Sequence, residues 1–151
     1  MNLPRTEPVS KARLRLWLRL LKLTGRVEGE LRRRLRDEHG TTLPRFDVMA
    51  ALSRHPEGLK MSELSDYLRV SNGNVTGIVD RLEAEGLAVR RAVPGDRRAQ
   101  LARLTDAGRA AFETLAGHHE AWIDGLLADF TRTEALALTA RLDTALAEER
   151  R

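Results

Sequence analysis

Apolar residues recur along most of this chain at steps of three and four, a spacing that predicts amphipathic helices. The first such stretch runs from Ser10 to about Arg36 and stops before Gly40, a residue favoured just after a helix. Its apolar positions form two rows, so this helix has more than one surface to cover, and a partner subunit is a candidate for the second. The rows are Leu16, Leu20, Leu23, Val27 and Leu31, and Leu14, Trp17, Leu18 and Leu21.

Three shorter helices are predicted next, from the same periodicity together with capping and turn residues. The second helix carries Phe46, Met49 and Leu52 at helical spacing, and the third carries Leu64 and Leu68. The predicted boundaries are Thr42 and Pro44 to Pro56 for the second helix, a cap at Ser62 for the third, and a cap at Ser71, an end near Glu85 and a left-handed Gly86 for the fourth.

The hydrophobic period changes after the fourth helix. Residues 87–93 and 100–104 are short, alternating stretches, and Pro94-Gly95-Asp96 between them supplies turn chemistry, which predicts a β-hairpin. Helix returns at Asp106, and Thr131 and Glu134 have the spacing of a capping box that opens a closing helix. That closing helix has one apolar stripe, made of Ala135, Leu138, Leu142 and Leu146. The fold is therefore predicted to be mainly α with a small β-hairpin.

Composition narrows the class of protein. With 151 residues and 42% hydrophobic residues, the chain is expected to fold as one domain with a real core. The absence of cysteine excludes disulfides, thiolate metal sites and thiol-based redox sensing. Basic residues interrupt the N-terminal leucines, and no apolar run approaches the roughly 20 residues of a membrane span. A soluble protein of the reducing cytoplasm is the expectation.

The distribution of charge along the chain indicates more about its partner than the net charge of +4 does. Residues 1–40 carry 11 basic and 5 acidic side chains, whereas residues 106–151 carry 5 and 9. Between Arg90 and Arg103, five arginines face only one acidic residue, Asp96. Arginine binds phosphate through a bidentate fork, so this local cluster favours a nucleic acid as partner. The alternative is a solvated basic surface.

The fourth helix also carries residues suited to a duplex. One side of this helix carries apolar residues at helical spacing, and that side is predicted to pack inward. These residues are Val75, Ile78, Val79 and Leu82. The opposite side is small and polar, which lets a helix backbone approach base edges and phosphates closely. A solvated face is the alternative interpretation. The candidate contacts are Ser71, Asn72, Gly73, Asn74, Thr76 and Arg81.

In this region the chain resembles the MarR-type winged helix-turn-helix regulators. The likeness rests on the helix pair that opens at Met61-Ser62-Glu63-Leu64 and on the wing signature Asp96-Arg97-Arg98, with Leu104-Thr105 and Gly108 after it. It extends upstream to residues 43–49 and into the flanking helices, so it covers nearly the whole chain. The resemblance implies a single MarR-type domain over residues 1–151. Residues 42–105 would form the winged helix-turn-helix lobe, and residues 10–40 and 106–151 the helical dimerisation region.

The resemblance also implies a homodimer that binds double-stranded DNA at a pseudo-palindromic operator, with half-sites about one helical turn apart. In the wing, Asp96 would orient Arg98, which would enter the minor groove or grip its phosphates, and Arg97 is the second candidate for that role. Arg90, with its neighbour Arg91, would steer the complex electrostatically.

Many family members act as repressors that release DNA when a small aromatic acid, or in one branch an acyl-CoA thioester, enters a pocket between the dimer helices and the DNA-binding lobe. The residues expected to line such a pocket here are Arg13, Trp17, Arg19, Arg45, Phe46 and Met49. The alternative is that the aromatic residues belong to the core and the arginines to the surface. The family's peroxide-sensing branch needs a reactive cysteine, which this chain lacks.

Other functions have less support. The adjacent His118 and His119 point in different directions on a helix, so the histidines are interpreted as structural or exposed, and no metal or other cofactor is expected. No phosphate-binding loop, metal-ligand spacing or nucleophile elbow is present, so an enzyme is not expected. The alternative function is a winged-helix protein that coats DNA without sequence preference or binds protein instead.

Overall fold

A computed structural model describes residues 6–68 and 72–148 of the chain. The fold is mainly helical with a small antiparallel sheet, which confirms the predicted fold class. No helix in these two segments is both long enough and apolar enough to cross a membrane. The elements are α1 (Val9–His39), α2 (Leu43–Arg54), β1 (Leu59–Lys60), α3 (Met61–Leu68), α4 (Asn72–Ala84), β2 (Ala88–Val93), β3 (Asp96–Leu104), α5 (Asp106–Leu126) and α6 (Arg132–Glu148).

The boundary between α1 and α2 follows the predicted capping chemistry. Gly40 adopts a left-handed conformation with φ of 60°, and its N–H donates to the carbonyl of Arg36 at 3.0 Å. The hydroxyl of Thr42 then accepts the N–H of Arg45 at 3.3 Å, which caps the first turn of α2. Both predicted boundary residues are confirmed.

The start of α3 differs from the prediction. Ser62 was expected to cap this helix, but α3 already begins at Met61, so Ser62 lies inside the first turn. The reason is β1, a strand of two residues that ends at Lys60 and leaves no turn before the helix. The other expected cap, Ser71, lies outside the described residues.

The hairpin is confirmed, and β1 adds a third strand that the sequence pattern did not predict. The sheet has the order β1-β3-β2, with Leu59 opposite Ala102 and Lys60 opposite Leu101. The chain reaches this position through Gly58, whose φ is 105°. A Cβ at Gly58 would lie 2.9 Å from the carbonyl oxygen of Ala102, so the approach of β1 to β3 requires glycine.

Two buried cores hold the fold together. The larger one packs the sheet against α2, α3 and α4. The second joins the C-terminal end of α1 to α2 and α5, through Leu35, Phe46 and Trp122 among others. Phe112, on α5, packs against both cores and therefore connects them.

The closing helix lies outside both cores. The predicted capping box is confirmed, because the N–H of Thr131 donates to Glu134 Oε1 at 3.1 Å and the N–H of Glu134 donates to Thr131 Oγ1 at 3.2 Å. These bonds favour the carboxylate and lower the pKa of Glu134. Every residue from 132 to 147 is nevertheless exposed, including the leucines of the apolar stripe.

Candidate nucleic-acid interface

The inward face of α4 fixes which of its residues meet solvent. Val75, Val79 and Leu82 are fully buried in the larger core, and Ile78 packs against it. Because these positions occupy one side of a helix with 3.6 residues per turn, the other side must face outward. The predicted inward and outward faces of this helix are confirmed.

The outward face of α4 is small and polar. Asn74, Thr76, Gly77 and Arg81 are exposed, and a Cβ at Gly77 would meet nothing within 4 Å. The helix begins at Asn72, so the backbone of Asn72 and Gly73 belongs to its first turn, while Ser71 lies outside the described residues. A helix surface of this kind allows another body to approach its backbone.

Left-handed glycine connects α4 to the hairpin. Gly86 has a φ of 75°, and the N–H of Leu87 donates to the carbonyl of Leu82 at 2.8 Å, as at a Schellman-type helix end. The polypeptide turns here directly into β2. The turn therefore sets the position of the hairpin relative to the outward face of α4.

The tip of the hairpin is built by Asp96. Pro94 and Gly95 form the turn, with φ of 83° at Gly95, and Asp96 Oδ1 accepts the backbone N–H of Arg98 at 3.1 Å. An aspartate that binds the N–H two residues on is an Asx turn. Asp96 was expected to orient the side chain of Arg98. In the described residues its carboxylate binds the backbone N–H of Arg98 and forms no ion pair with the guanidinium group of Arg98.

The pairing register widens the hairpin at the same point. Ala92 pairs with Gln100 and Val93 pairs with Asp96, so β3 advances four residues where β2 advances one. The extra residues include Arg97 and Arg98, and both side chains are exposed. Bulges of this kind re-aim side chains at the end of a sheet. Here the bulge presents two cations at the tip.

Arg90 has a different setting from the tip arginines. It forms an ion pair with Asp80, and its Nε lies 3.4 Å from Glu83 Oε2, which also accepts the backbone N–H of Arg90 at 3.0 Å. Both carboxylates belong to α4. Arg90 therefore attaches β2 to α4, and its charge is matched locally.

Sequence reasoning missed Lys60. The unpredicted strand β1 brings Lys60 to the hairpin, where it lines a cleft of about 200 Å³ together with Arg98 and Gln100. Two residues are too few for a period-2 pattern, so the only sequence signal was the Gly58 turn before them. The cleft adds a third cation to the surface formed by α4 and the hairpin tip.

Together these elements present two adjacent surfaces suited to a duplex. A helix with short polar side chains fits the major groove, and arginines one hairpin away fit a neighbouring minor groove or its phosphates. No group of three or more histidine, aspartate or glutamate side chains in residues 6–68 and 72–148 is arranged to hold a metal ion. The arrangement can bind DNA through side chains alone.

The six residues expected to line an effector pocket are not brought together within one chain. Arg13, Trp17 and Arg19 lie on the exposed N-terminal half of α1, and Trp17 is 55% exposed. Phe46 shares the second core with Leu31, which lies fourteen residues after Trp17, or roughly 21 Å along the helix.

The other expected pocket residues have structural partners. Arg45 forms an ion pair with Glu85, and Phe46 and Met49 are only 5% and 3% exposed. Phe46 stacks on His119 with 4.4 Å between ring centroids. The alternative interpretation of the sequence, in which the aromatic residue is part of the core, describes Phe46.

The two adjacent histidines point apart, as predicted. His118 Nδ1 lies 2.9 Å from His39 Nε2, which links α5 to the end of α1, whereas His119 faces Phe46. Burial disfavours the charged imidazolium and lowers the pKa of His119. These histidines connect helices.

The fold and the surface together define a winged helix-turn-helix DNA-binding protein. A sequence profile described as the MarR family matches residues 39–99. A MarR family transcriptional regulator from Silicibacter pomeroyi has a crystal structure with a TM-score of 0.75 and 36% identity, over 96% of this chain and 99% of that one. The HTH-type transcriptional repressor MdtR of Bacillus subtilis is 33% identical over 109 residues, which are 70% of each chain.

A third relative is named for the opposite effect on transcription. The transcriptional activatory protein BadR of Rhodopseudomonas palustris is 34% identical over 98 residues, which cover 63% of this chain and 56% of the relative. With these likenesses, the chain belongs to the MarR family of DNA-binding transcriptional regulators. The family consists of transcription regulators and not of enzymes.

Proposed function

We propose that the protein is a cytoplasmic homodimer that represses transcription by binding a pseudo-palindromic operator. The observation that carries the proposal is the exposed polar face of α4 beside the Asp96 turn with Arg97 and Arg98. In this proposal one major groove is contacted by Ser71, Asn72, Gly73, Asn74 and Thr76, and Arg81 contacts a phosphate. The hairpin tip then binds the flanking minor groove or its phosphates.

Exposed leucines support the dimer. Residues 10–40 and 106–151 form its helical dimerisation region in this proposal, and residues 42–105 form the DNA-binding lobe. Contiguous apolar surface on a soluble chain marks a protein interface, and a helix without buried residues gains little stability by itself. The exposed apolar side chains of α1 and α6 are Val9, Leu14, Leu16, Trp17, Leu18, Leu21, Leu23, Leu136, Leu138, Leu142 and Leu146.

Selection of bound genomic fragments, followed by competition, tests the operator. A recovered palindromic site should bind about 10³-fold or more tightly than random duplex of the same length and salt concentration. A ratio near one would instead support the alternative of a protein that coats DNA. Failure to bind either duplex would contradict DNA binding and leave a protein partner.

Arg98→Ala tests the hairpin tip directly. It should weaken binding to the selected operator by more than about tenfold, because it removes a charge-assisted contact to DNA. The matched control is Arg132→Ala, an exposed arginine at the start of α6 that loses the same charge. Equal affinities of the two variants would contradict a role for the hairpin in DNA binding.

Release by a small aromatic acid or an acyl-CoA thioester is the finer part of the proposal. Trp17 and Phe46 lie too far apart in one chain to share a pocket, so such a site requires α1 from a second chain. Titration of the operator complex with aromatic acids and their CoA thioesters tests this part. If the operator complex persists at saturating concentrations of every compound, release by such an effector is contradicted.

A further inference from the structure

A second surface concavity lies at the base of the hairpin, away from the tip. It is a groove of about 340 Å³ between the sheet, the first turn of α5 and the loop that follows α2. Arg91 and Arg103 enter it from β2 and β3, and Arg109 enters it from α5. Pro56 and Val89 contribute apolar walls.

The groove has an unbalanced positive charge. None of its three guanidinium groups forms an ion pair with another residue in the described segments, whereas Arg45 and Arg90 are both paired. Asp106 is the one carboxylate among the lining residues that the structure describes. Three cations and one anion leave a net charge of about +2, which matches a dianion. Arginine forks also suit the geometry of phosphate oxygens.

The groove lies on the side of the sheet opposite to α4. Val89 pairs with Arg103, and because successive side chains alternate, Arg91 shares their face. Arg90 lies on the other face, where it binds the carboxylates of α4. A duplex bound by α4 therefore does not occupy the groove.

We propose that this groove binds the dianionic phosphate group of a small organic molecule. The three guanidinium groups hold the phosphate oxygens, and Pro56 and Val89 contact the apolar body of the ligand. Arg103 is half-buried, so of the three it is the one held most firmly by its surroundings.

Occupancy of the groove has a consequence that rests on the proposed function. The ligand bridges the hairpin base and α5, so it fixes the hairpin relative to the long helix. Because the opposite end of the same hairpin carries Arg97 and Arg98, a bound phosphate compound changes operator affinity.

Calorimetric titration of the full chain with phenyl phosphate tests the site itself. Saturable binding is expected, and Arg103→Gln and Arg109→Gln should each weaken it on the order of tenfold, since each removes a charge-assisted hydrogen bond. Arg132→Gln is the matched control and should bind as the parent does. Absence of saturable binding by the parent, or equal binding by the parent and the two groove variants, would overturn the proposal.

Two further experiments test whether the bound phosphate belongs to DNA and whether the groove is coupled to operator binding. A Kd for phenyl phosphate that rises without limit as random duplex is added would identify the DNA backbone as the occupant and overturn a small-molecule site, whereas a rise that reaches a plateau is the reciprocal of the proposed coupling. Operator affinity is then measured with phenyl phosphate and with sodium chloride at equal ionic strength, because salt alone weakens DNA binding. A change specific to phenyl phosphate, lost in Arg103→Gln, is expected, and no such change would overturn the coupling.

The calorimetric arm requires no DNA, so it remains informative if the operator proposal fails. Saturable binding of phenyl phosphate together with absence of operator binding would support the groove and contradict the proposed function. Operator binding without phenyl phosphate binding would support the proposed function and contradict the groove.

Discussion

At Gly108 the first turn of α5 lies against the backbone of Leu87, the residue before β2. A Cβ built at this position would lie 1.9 Å from the carbonyl oxygen of Leu87, so only glycine fits. Next to it, Thr105 binds both elements, because its hydroxyl donates to the carbonyl of Gly86 at 2.7 Å and accepts the N–H of Gly108 at 3.0 Å. The two residues fix the angle at which the chain leaves the sheet.

Gly108→Ala should lower the free energy of unfolding by about 2 kcal/mol or more, because the new methyl group forces a backbone shift in a packed region. Urea denaturation measures the change. The same substitution at Gly117, on the same helix with nothing within 4 Å of an added Cβ, should raise stability by up to about 1 kcal/mol. Equal effects at the two positions would contradict the close approach at Gly108.

His119 links stability to pH. Burial lowers its pKa in the folded protein below the ordinary value of 6.5, so the folded state binds fewer protons than the unfolded state. The stability that His119 contributes is present above about pH 6.5 and is lost as the pH falls through its folded-state pKa.

His119→Phe should therefore flatten the fall of the thermal midpoint between neutral and mildly acidic pH, since phenylalanine can still stack on Phe46 but does not titrate. The control is His55→Gln, which removes an exposed histidine. A parent-like pH profile in His119→Phe would assign the pH dependence to other groups.

At the scale of elements, β2 and α4 are joined by Arg90. Its contacts with Asp80 and Glu83 neutralise its charge, whereas Arg97 is exposed at the bulge without an ion pair in the described residues. Arginines that neutralise DNA phosphates set the salt dependence of binding. Arg90 and Arg97 should therefore differ in their effect on that dependence.

Arg90→Gln should lower stability by about 1 kcal/mol through loss of its contacts to α4, and the slope of log Kd against log salt should stay at the parent value. Arg97→Gln should reduce that slope by about one unit. A reduced slope in Arg90→Gln would show that Arg90 leaves α4 to bind a phosphate in the complex.

Local chemistry was predictable from the sequence, and pairing between distant segments was not. Gly40, Thr42 and the Thr131–Glu134 box act within one turn, so their residue types indicate their roles. The strand β1 exists only because β3, some forty residues later, pairs with it. No local pattern carries that information.

The same division applies to the candidate site. Periodicity predicted the exposed face of α4, because burial of Val75 and Val79 follows from helical spacing alone. The ion pairs of Arg90 and the position of Lys60 depend on how strands and helices meet. Sequence therefore identified which residues are polar and exposed, but it did not identify which of the cations are already paired.

Across the whole molecule, the two cores are built by the elements from α2 to β3, by the C-terminal end of α1 and by α5, whereas the N-terminal part of α1 and residues 132–147 lie outside them. Residues 9–19 and 132–147 are all exposed although they are rich in leucine. In the proposed dimer these surfaces bury each other, so folding of the ends is coupled to association.

Leu142→Glu should convert the dimer to a monomer in light scattering and weaken operator binding by more than tenfold, because it places a charge in the apolar stripe of α6. Ala140→Glu introduces the same charge on the opposite side of the helix and should remain dimeric.

The thermal midpoint of the parent should rise with protein concentration. A midpoint independent of concentration, with a monomeric parent, would contradict the dimer.

Phe112 packs against both cores, and this shared side chain has a consequence for how such proteins diverge. Two halves with separate cores could be exchanged between relatives as modules, each with its own history of substitution. Here one ring packs against both cores, so a substitution in either core alters the space left for the other. Functional chimaeras that join the helical ends of one relative to the DNA-binding half of another must therefore retain a residue at this position that suits both parents.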